Sequence, residues 1–324
     1  MGRIKKQIHD FIWRERTVRW GDEYPDQRFY VIRRHADQAG LFSFVATNLG
    51  SINEAVRRGF VPVIDMQNAA NPMLLPEEVG KVNAWDRYFL PPCGYTLEDI
   101  AHAKNVTLGV ITPPEDEYYP DYNMILDAEE LSMWRETADR YLKLRPEAEE
   151  KIDGYCEEVL HRNPGEKVLG VLCRGTDYLQ QRPYNHPMQP KTEAVIAKCR
   201  EVMKEYGCSR IYLCTEDQRI WDQMQEAFPG QILSYQKRRY QTGSGENIND
   251  AGNAVMSPYE RNLEYLISIG ILARCDCLVA GAAGGTYGAL LLTKGYEYEY
   301  VFRIGRYVTK EPLPGTWEYE NAAE

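Results

Sequence analysis

A chain of 324 residues, 44% hydrophobic and 27% charged, holds enough apolar material for about two ordinary domains and shows none of the bias of a disordered or fibrous protein. Its net charge of −10 argues against a nucleic-acid partner, since a phosphate backbone is held by a Lys- and Arg-rich surface. No run approaches the ~18 consecutive apolar residues of a membrane span, and no signal-peptide core opens the chain, so a soluble, cytoplasmic protein is expected.

The first twenty residues place Ile4, Ile8, Phe11 and Ile12 at helical spacing among Arg3, Lys5, Lys6, Arg14, Arg16 and Arg19. This predicts a basic amphipathic helix, either docked by its apolar face or in peripheral contact with the inner face of a membrane. Phe29 to Ile32 reads as a strand. A helical pattern runs from Gly40 through Leu49 and Ala55 to about Arg58, and Val61 to Asp65 is the next strand. Thr107 to Ile111 is a weaker strand, and Leu126 to His161 reads as one long helix.

Asn163-Pro164-Gly165 breaks the chain, and the pattern restarts. Strands are predicted at Val168–Cys173, Arg210–Cys214, Ile232–Tyr235, Cys277–Ala280 and Tyr298–Phe302. Helices are predicted at about Lys191–Tyr206, Gln218–Phe228, Glu260–Ala273 and Thr286–Thr293, with a long polar loop over Gln236–Pro258. Alternation of this kind implies parallel sheets covered on both faces. The expected architecture is α/β, with two Rossmann-like parallel-sheet domains facing across a cleft. Residues 1–162 would form an acceptor-side domain, and 163–324 a nucleotide-sugar-binding domain with a C-terminal tail.

In open parallel sheets, ligands gather where strand C-termini meet loops and helix N-termini. Three such ends in the second half carry polar or glycine-rich residues directly after apolar runs. The first is Leu172-Cys173-Arg174-Gly175-Thr176-Asp177. Arginine suits a pyrophosphate because its planar fork donates two hydrogen bonds and stays charged, and a glycine admits a ligand close to the backbone. A surface Arg–Asp pair closing a turn is the alternative. The second is Cys214-Thr215-Glu216-Asp217, whose acids could accept from ribose, base or sugar donors, or could simply cap the next helix. The third is Ala280-Gly281-Ala282-Ala283-Gly284-Gly285-Thr286, where free amides at a helix start would make an anion site, or where small residues would serve close packing. The long loop with Lys237-Arg238-Arg239 at one end and Tyr259-Glu260-Arg261-Asn262 at the other is a fourth candidate, able to fold over a nucleotide or to remain a solvated charge run.

The five histidines are scattered and no Asp-x-Asp occurs, so no metal site is expected. Cys93, Cys156, Cys173, Cys199, Cys208, Cys214, Cys275 and Cys277 form no CxxC pair and read as reduced, structural thiols.

The series Arg174-Gly175-Thr176-Asp177, then Thr215-Glu216-Asp217, then Leu272-Ala273-Arg274-Cys275-Asp276-Cys277-Leu278-Val279 before a small-residue loop, resembles the donor domain of the GT-B fucosyltransferase superfamily. That superfamily includes α-1,6- and protein O-fucosyltransferases. Val61 to Met66, with Asn83-Ala84-Trp85 downstream, resembles its bacterial members. The resemblance implies inverting, metal-independent transfer from GDP-fucose or a related sugar nucleotide to a glycan or glycolipid hydroxyl. The GDP-sugar would be a co-substrate, with no cofactor. It also implies that Arg174 meets the donor diphosphate, that Glu216 and Asp217 match the acidic pair, and that Ala283 and Gly284 match a paired-serine site. Leu172, Gly175 and Ser268 stand where relatives carry histidine, a second arginine and an acid. Donor contacts are therefore expected from Arg174, Gly175, Thr176, Thr215, Glu216, Asp217, Gly281, Gly284, Gly285 and Thr286. Arg174 and Asp177 are the catalytic candidates, and Asp65 and His186 the acceptor-side ones. Two other readings stay open: a uridine-nucleotide-sugar enzyme on the same fold, and a non-catalytic glycan-binding or scaffold relative.

Overall fold

The computed structural model describes residues 14–36, 39–110, 118–175, 185–235, 238–240 and 256–307. The chain divides into two compact units. One takes the residues up to Asp121 with Leu131–Pro146 and Ser257–Asn262, and the other takes Tyr122–Glu130, Glu147–Met256 and the residues from Leu263 onward.

The first unit contains a four-stranded sheet of β1 (Arg16–Val18), β2 (Phe29–Arg33), β3 (Val61–Asp65) and β4 (Val106–Leu108), in the order β1-β4-β2-β3. All five residues of β2 are buried, as befits a strand covered on both faces. Strands β4, β2 and β3 run parallel, and β1 pairs antiparallel with β4, Thr17 opposite Thr107. The basic helix expected over the first twenty residues therefore does not extend through Arg16–Val18. Edge pairing along β4 and the β-branched Thr17 and Val18 favour a strand there. Residues 1–13, which carry Ile4, Ile8, Phe11 and Ile12, lie outside the described residues. Helix α1 (Leu41–Arg57) buries most of its length, including Leu41, Phe44, Val45, Leu49 and Ile52.

The long helix expected over Leu126–His161 is two helices, α2 (Ala128–Tyr141) and α3 (Pro146–Leu160). Pro146 has no N–H to continue the ladder and disfavours helical backbone at Arg145, but it suits the first position of a new helix. The freed backbone groups find other partners: Leu90 N–H donates to Lys143 O (2.8 Å), and Arg145 N–H donates to Tyr88 O (3.0 Å).

The second unit holds a five-stranded, fully parallel sheet of β5 (Lys167–Leu172), β6 (Cys208–Cys214), β7 (Ile232–Leu233), β8 (Cys277–Gly281) and β9 (Tyr298–Phe302), in the order β7-β6-β5-β8-β9. Side chains alternate across it. Leu169, Val171 and Cys173 join Val195, Cys199 and Val202 of α4 (Thr192–Tyr206) and Ile220 and Met224 of α5 (Gln218–Ala227) in one core. On the other face, Gly170 lies under Leu272 of α6 (Pro258–Leu272) and Cys275, and Tyr212 donates its hydroxyl to Ser268 O (3.1 Å). Helix α7 (Gly284–Leu292) follows β8 directly. Among the described residues no helix is long and apolar enough to cross a membrane.

Candidate functional site

Numbered within the second unit, the sheet reads 3-2-1-4-5. The chain builds outward from β5 through β6 to β7, then returns to the other side of β5 with β8 and β9. Connections leave β5 and β8 in opposite directions, and it is beyond the strand C-termini at such a point that open parallel sheets bind their ligands. The tips singled out in the sequence are those of β6, β5 and β8, three adjacent strands of one parallel sheet. The structure therefore brings them to one edge.

Arg174 and Gly175 follow β5. The Arg174 guanidinium lies 3.4 Å from Glu216 Oε1 at the β6 tip, with side chains 22% and 13% exposed, and the same carboxylate oxygen accepts the Gly175 N–H at 3.0 Å. Glu216 thus ties the arginine-bearing loop to its neighbour strand. A guanidinium so held keeps its charge at the sheet edge and is partly desolvated, the state in which it interacts most strongly with an anion.

Asp217 is fully buried. Its Oδ1 accepts the N–H groups of Arg219 (2.9 Å) and Ile220 (3.2 Å), so the capping role holds for this acid. Thr215 is buried beneath it and accepts the Asp217 N–H at 3.2 Å. Gly175 is required by this neighbour, because a Cβ there would lie 2.3 Å from Asp217 Oδ2 and 2.6 Å from Asp217 Cβ. Tyr240 extends the β6 tip: its N–H donates to Glu216 O (2.7 Å), and its carbonyl accepts from Gln218 N–H (3.0 Å). Beside it the Arg239 guanidinium covers the Trp221 ring at 3.9 Å and reaches Ser234 Oγ at 3.0 Å. Burial pulls its pKa below the ordinary arginine value. Of the long loop between, residues 236–237 and 241–255 lie outside the described residues. Tyr259, Arg261 and Asn262 belong to the start of α6, where Arg261 and Asn262 donate to Pro72 O (2.9 and 3.3 Å).

At the β8 tip, Ala283 is the N-cap of α7 in extended conformation, and no side chain caps the helix. Gly284 is partly exposed, whereas Gly285 and Thr286 are buried, and the Thr286 hydroxyl donates to Gly281 O (2.5 Å). The first amides of a helix have no internal partner, and among the described residues no side chain caps this start, at the positive end of the helix dipole. Gly285 is required by packing, a Cβ there lying 2.6 Å from Tyr265 Oη. The close-packing reading of this loop therefore holds at Gly285.

The remaining predicted residues distribute as follows. Thr176 and Asp177 lie outside the described residues. His186 is exposed, and its carbonyl accepts from Tyr307 N–H at 2.9 Å. Asp65, at the β3 tip of the first unit, is buried in a turn of its own making: Oδ1 accepts from Gln67 N–H (3.0 Å) and Asn68 N–H (2.9 Å), and Oδ2 from Asn68 Nδ2 (3.1 Å). Sequence reasoning missed Gln189, which is fully buried and donates its amide to Ala282 O at 2.7 Å. Pro187-Met188-Gln189-Pro190 carries no local signal, because the partner is distant in sequence. All eight cysteines are unpaired, six buried and two half-buried.

No family model matches the chain, and no curated protein matches it. Solved structures do. A mutant of Arabidopsis thaliana FUT1 in complex with GDP is similar over 86% of this chain and 70% of that one, with a TM-score of 0.50 and 10% identity. The fucosyltransferase NodZ from Bradyrhizobium is similar over 83% of this chain and 93% of its own, with a TM-score of 0.47 and 19% identity. POFUT1 in complex with GDP has a TM-score of 0.36 and 11% identity over 86% of this chain and 74% of that one. The class that emerges is a GT-B-type α/β protein with Rossmann-like parallel sheets. Within that class, the fold is the one found in the Arabidopsis fucosyltransferase, as the motif series led one to expect.

Proposed function

We propose that the chain is a glycosyltransferase that moves fucose or a related sugar from a GDP-sugar to a glycan hydroxyl, with inversion and without a metal ion. The observation that carries this reading is the convergence of Arg174 and the uncapped start of α7 beyond β5 and β8, the strands that flank the point where the sheet order reverses. The fold it shares with a plant fucosyltransferase in complex with GDP supports the choice of nucleotide.

In the proposed reaction the acceptor oxygen attacks the anomeric carbon from the face opposite the diphosphate. The bond from that carbon to the β-phosphate oxygen breaks, its electron pair stays on the departing GDP, and the acceptor proton passes to a base. Negative charge grows on the diphosphate as the bond lengthens. A fixed guanidinium and preset amides stabilise that charge without reorganising, the effect that commonly contributes most to catalysis. Glu216 would keep Arg174 in place, and Asp217 would shape the loop by capping α5 and seating Gly175. Asp177, three residues beyond Arg174, is proposed as the base on its place in sequence.

The test is release of GDP from GDP-fucose by the full chain, with calorimetric binding of GDP and UDP alongside. Arg174→Ala is expected to lower turnover by roughly 10²–10³, and excess chelator is expected to leave turnover unchanged. Full activity in Arg174→Ala refutes the assignment. Preference for UDP moves the protein to uridine donors, and failure to bind either nucleotide makes it a non-catalytic relative.

A further inference from the structure

Resting on that reading of the donor site, we infer that Gln189 is a positioning residue: it aims the Ala283 amide at the donor diphosphate by holding the carbonyl of the same peptide unit. Gln189 lies in the connection between β5 and α4 and is fully buried. Its Nε2 donates to Ala282 O at 2.7 Å and more weakly to Pro187 O at 3.3 Å.

The Ala282–Ala283 peptide is planar and trans, so its C=O and its N–H point in opposite directions. Drawing the Ala282 carbonyl toward Gln189 therefore turns the Ala283 N–H away from it. Ala283 is the N-cap of α7, and its N–H meets no acceptor among the described residues. A side chain that fixes this one plane decides whether the first amide of the anion-binding row faces a ligand or turns from it.

Two further observations make the contact a built one. The glycine at 281 leaves room for it, because a Cβ there would stand 2.4 Å from Gln189 Oε1 and 3.0 Å from Pro190 Cδ. The Gln189 Oε1 atom is itself buried and accepts no hydrogen bond among the described residues, an arrangement that costs free energy and is out of place in a side chain serving stability alone. Among the described residues the Gln189 side-chain amide donates to Ala282 O and Pro187 O, so its contact with the loop is separable from the Arg174–Glu216 pair.

The experiment measures calorimetric affinity for GDP and for guanosine, in the full chain carrying Gln189→Leu, Gln189→Met or Gly281→Ala. Guanosine has the base and ribose but no phosphate. Expected is a loss of GDP affinity of about tenfold in each variant, with guanosine affinity changed less than about twofold, since only the phosphate-bearing ligand uses the amide. In a Gln189→Ala background, Gly281→Ala is expected to cost less, because the atom it strikes hardest is gone and only the 3.0 Å approach to Pro190 Cδ remains. Unchanged GDP affinity in both folded Gln189 variants overturns the inference, as does parallel loss for GDP and guanosine, the signature of general destabilisation. Both results presuppose GDP binding by the unsubstituted chain. Its failure to bind GDP would instead overturn the donor reading, and this inference with it.

Discussion

Gly175→Ala tests the packing of the site most directly. The new methyl would stand 2.3 Å from Asp217 Oδ2, 2.7 Å from its Cγ and 2.6 Å from its Cβ, all closer than carbon and oxygen atoms approach without bonding. Gly175 is absent from the residues with left-handed backbone, so the penalty is steric, not conformational. Asp217 cannot retreat easily, being fully buried and bonded to the Arg219 and Ile220 amides. Forcing it aside costs about 0.5–2 kcal/mol of cap, and overpacking adds about 1–3 kcal/mol. A total loss of roughly 2–4 kcal/mol is expected from urea unfolding followed by far-UV circular dichroism. The cause is checked by a double-mutant cycle. Asp217→Gly removes the three atoms nearest the new methyl while keeping a tolerable cap, so Gly175→Ala on that background is expected to cost less than about 1 kcal/mol. A loss below about 0.5 kcal/mol in the single variant, or additive losses in the pair, would refute the reasoning.

Asp86 gives a pH-dependent expectation. Burial pushes its carboxyl up to about 6 from an ordinary 3.8, against the opposing pull of Arg145 and Asn83. Between those values the folded chain holds more protons than the unfolded one, so this group lowers stability as pH rises through about 4 to 6. Asp86→Asn is expected to raise Tm by roughly 2 °C or more at pH 7.5 and to give no gain near pH 4; equal shifts at both pH values would contradict it. The thiols give another expectation. Burial pushes Cys214 up to about 11 and Cys208 up to about 12, and raises Cys173, Cys199 and Cys275 as well. A thiol reagent at pH 8 is expected to modify the native protein only at the half-buried Cys93 and Cys156, and all eight cysteines in urea. Rapid native labelling of Cys214 would show that the β6 tip opens.

Much of the second unit was legible in sequence because its signals are local. Val168 to Cys173, the β6 run and Cys277 to Ala280 are apolar over strand length, and each ends abruptly in polar or small residues. Where the local signal misled, a distant partner had decided the matter. Arg16 to Val18 joins a sheet edge offered by residues near Thr107, and the helix pattern across Leu142–Arg145 gives way at Pro146, where Tyr88 and Leu90 take up the backbone. Glu216 and Asp217 look alike as neighbouring acids, yet one reaches Gly175 and Arg174 while the other caps a helix; that division depends on which strand lies alongside.

From its residues alone, the chain settles most of the strands and helices of the second unit, and that Arg174 and the Gly281–Thr286 loop follow two of the strands. Only the tertiary structure decides that β8 returns to lie against β5, opposite β6, and so places a guanidinium and a row of free amides at the same edge. The reason is physical: hydrophobic period is a property of a few consecutive residues, whereas strand order is set by burial of faces and crossover connections spanning the whole unit.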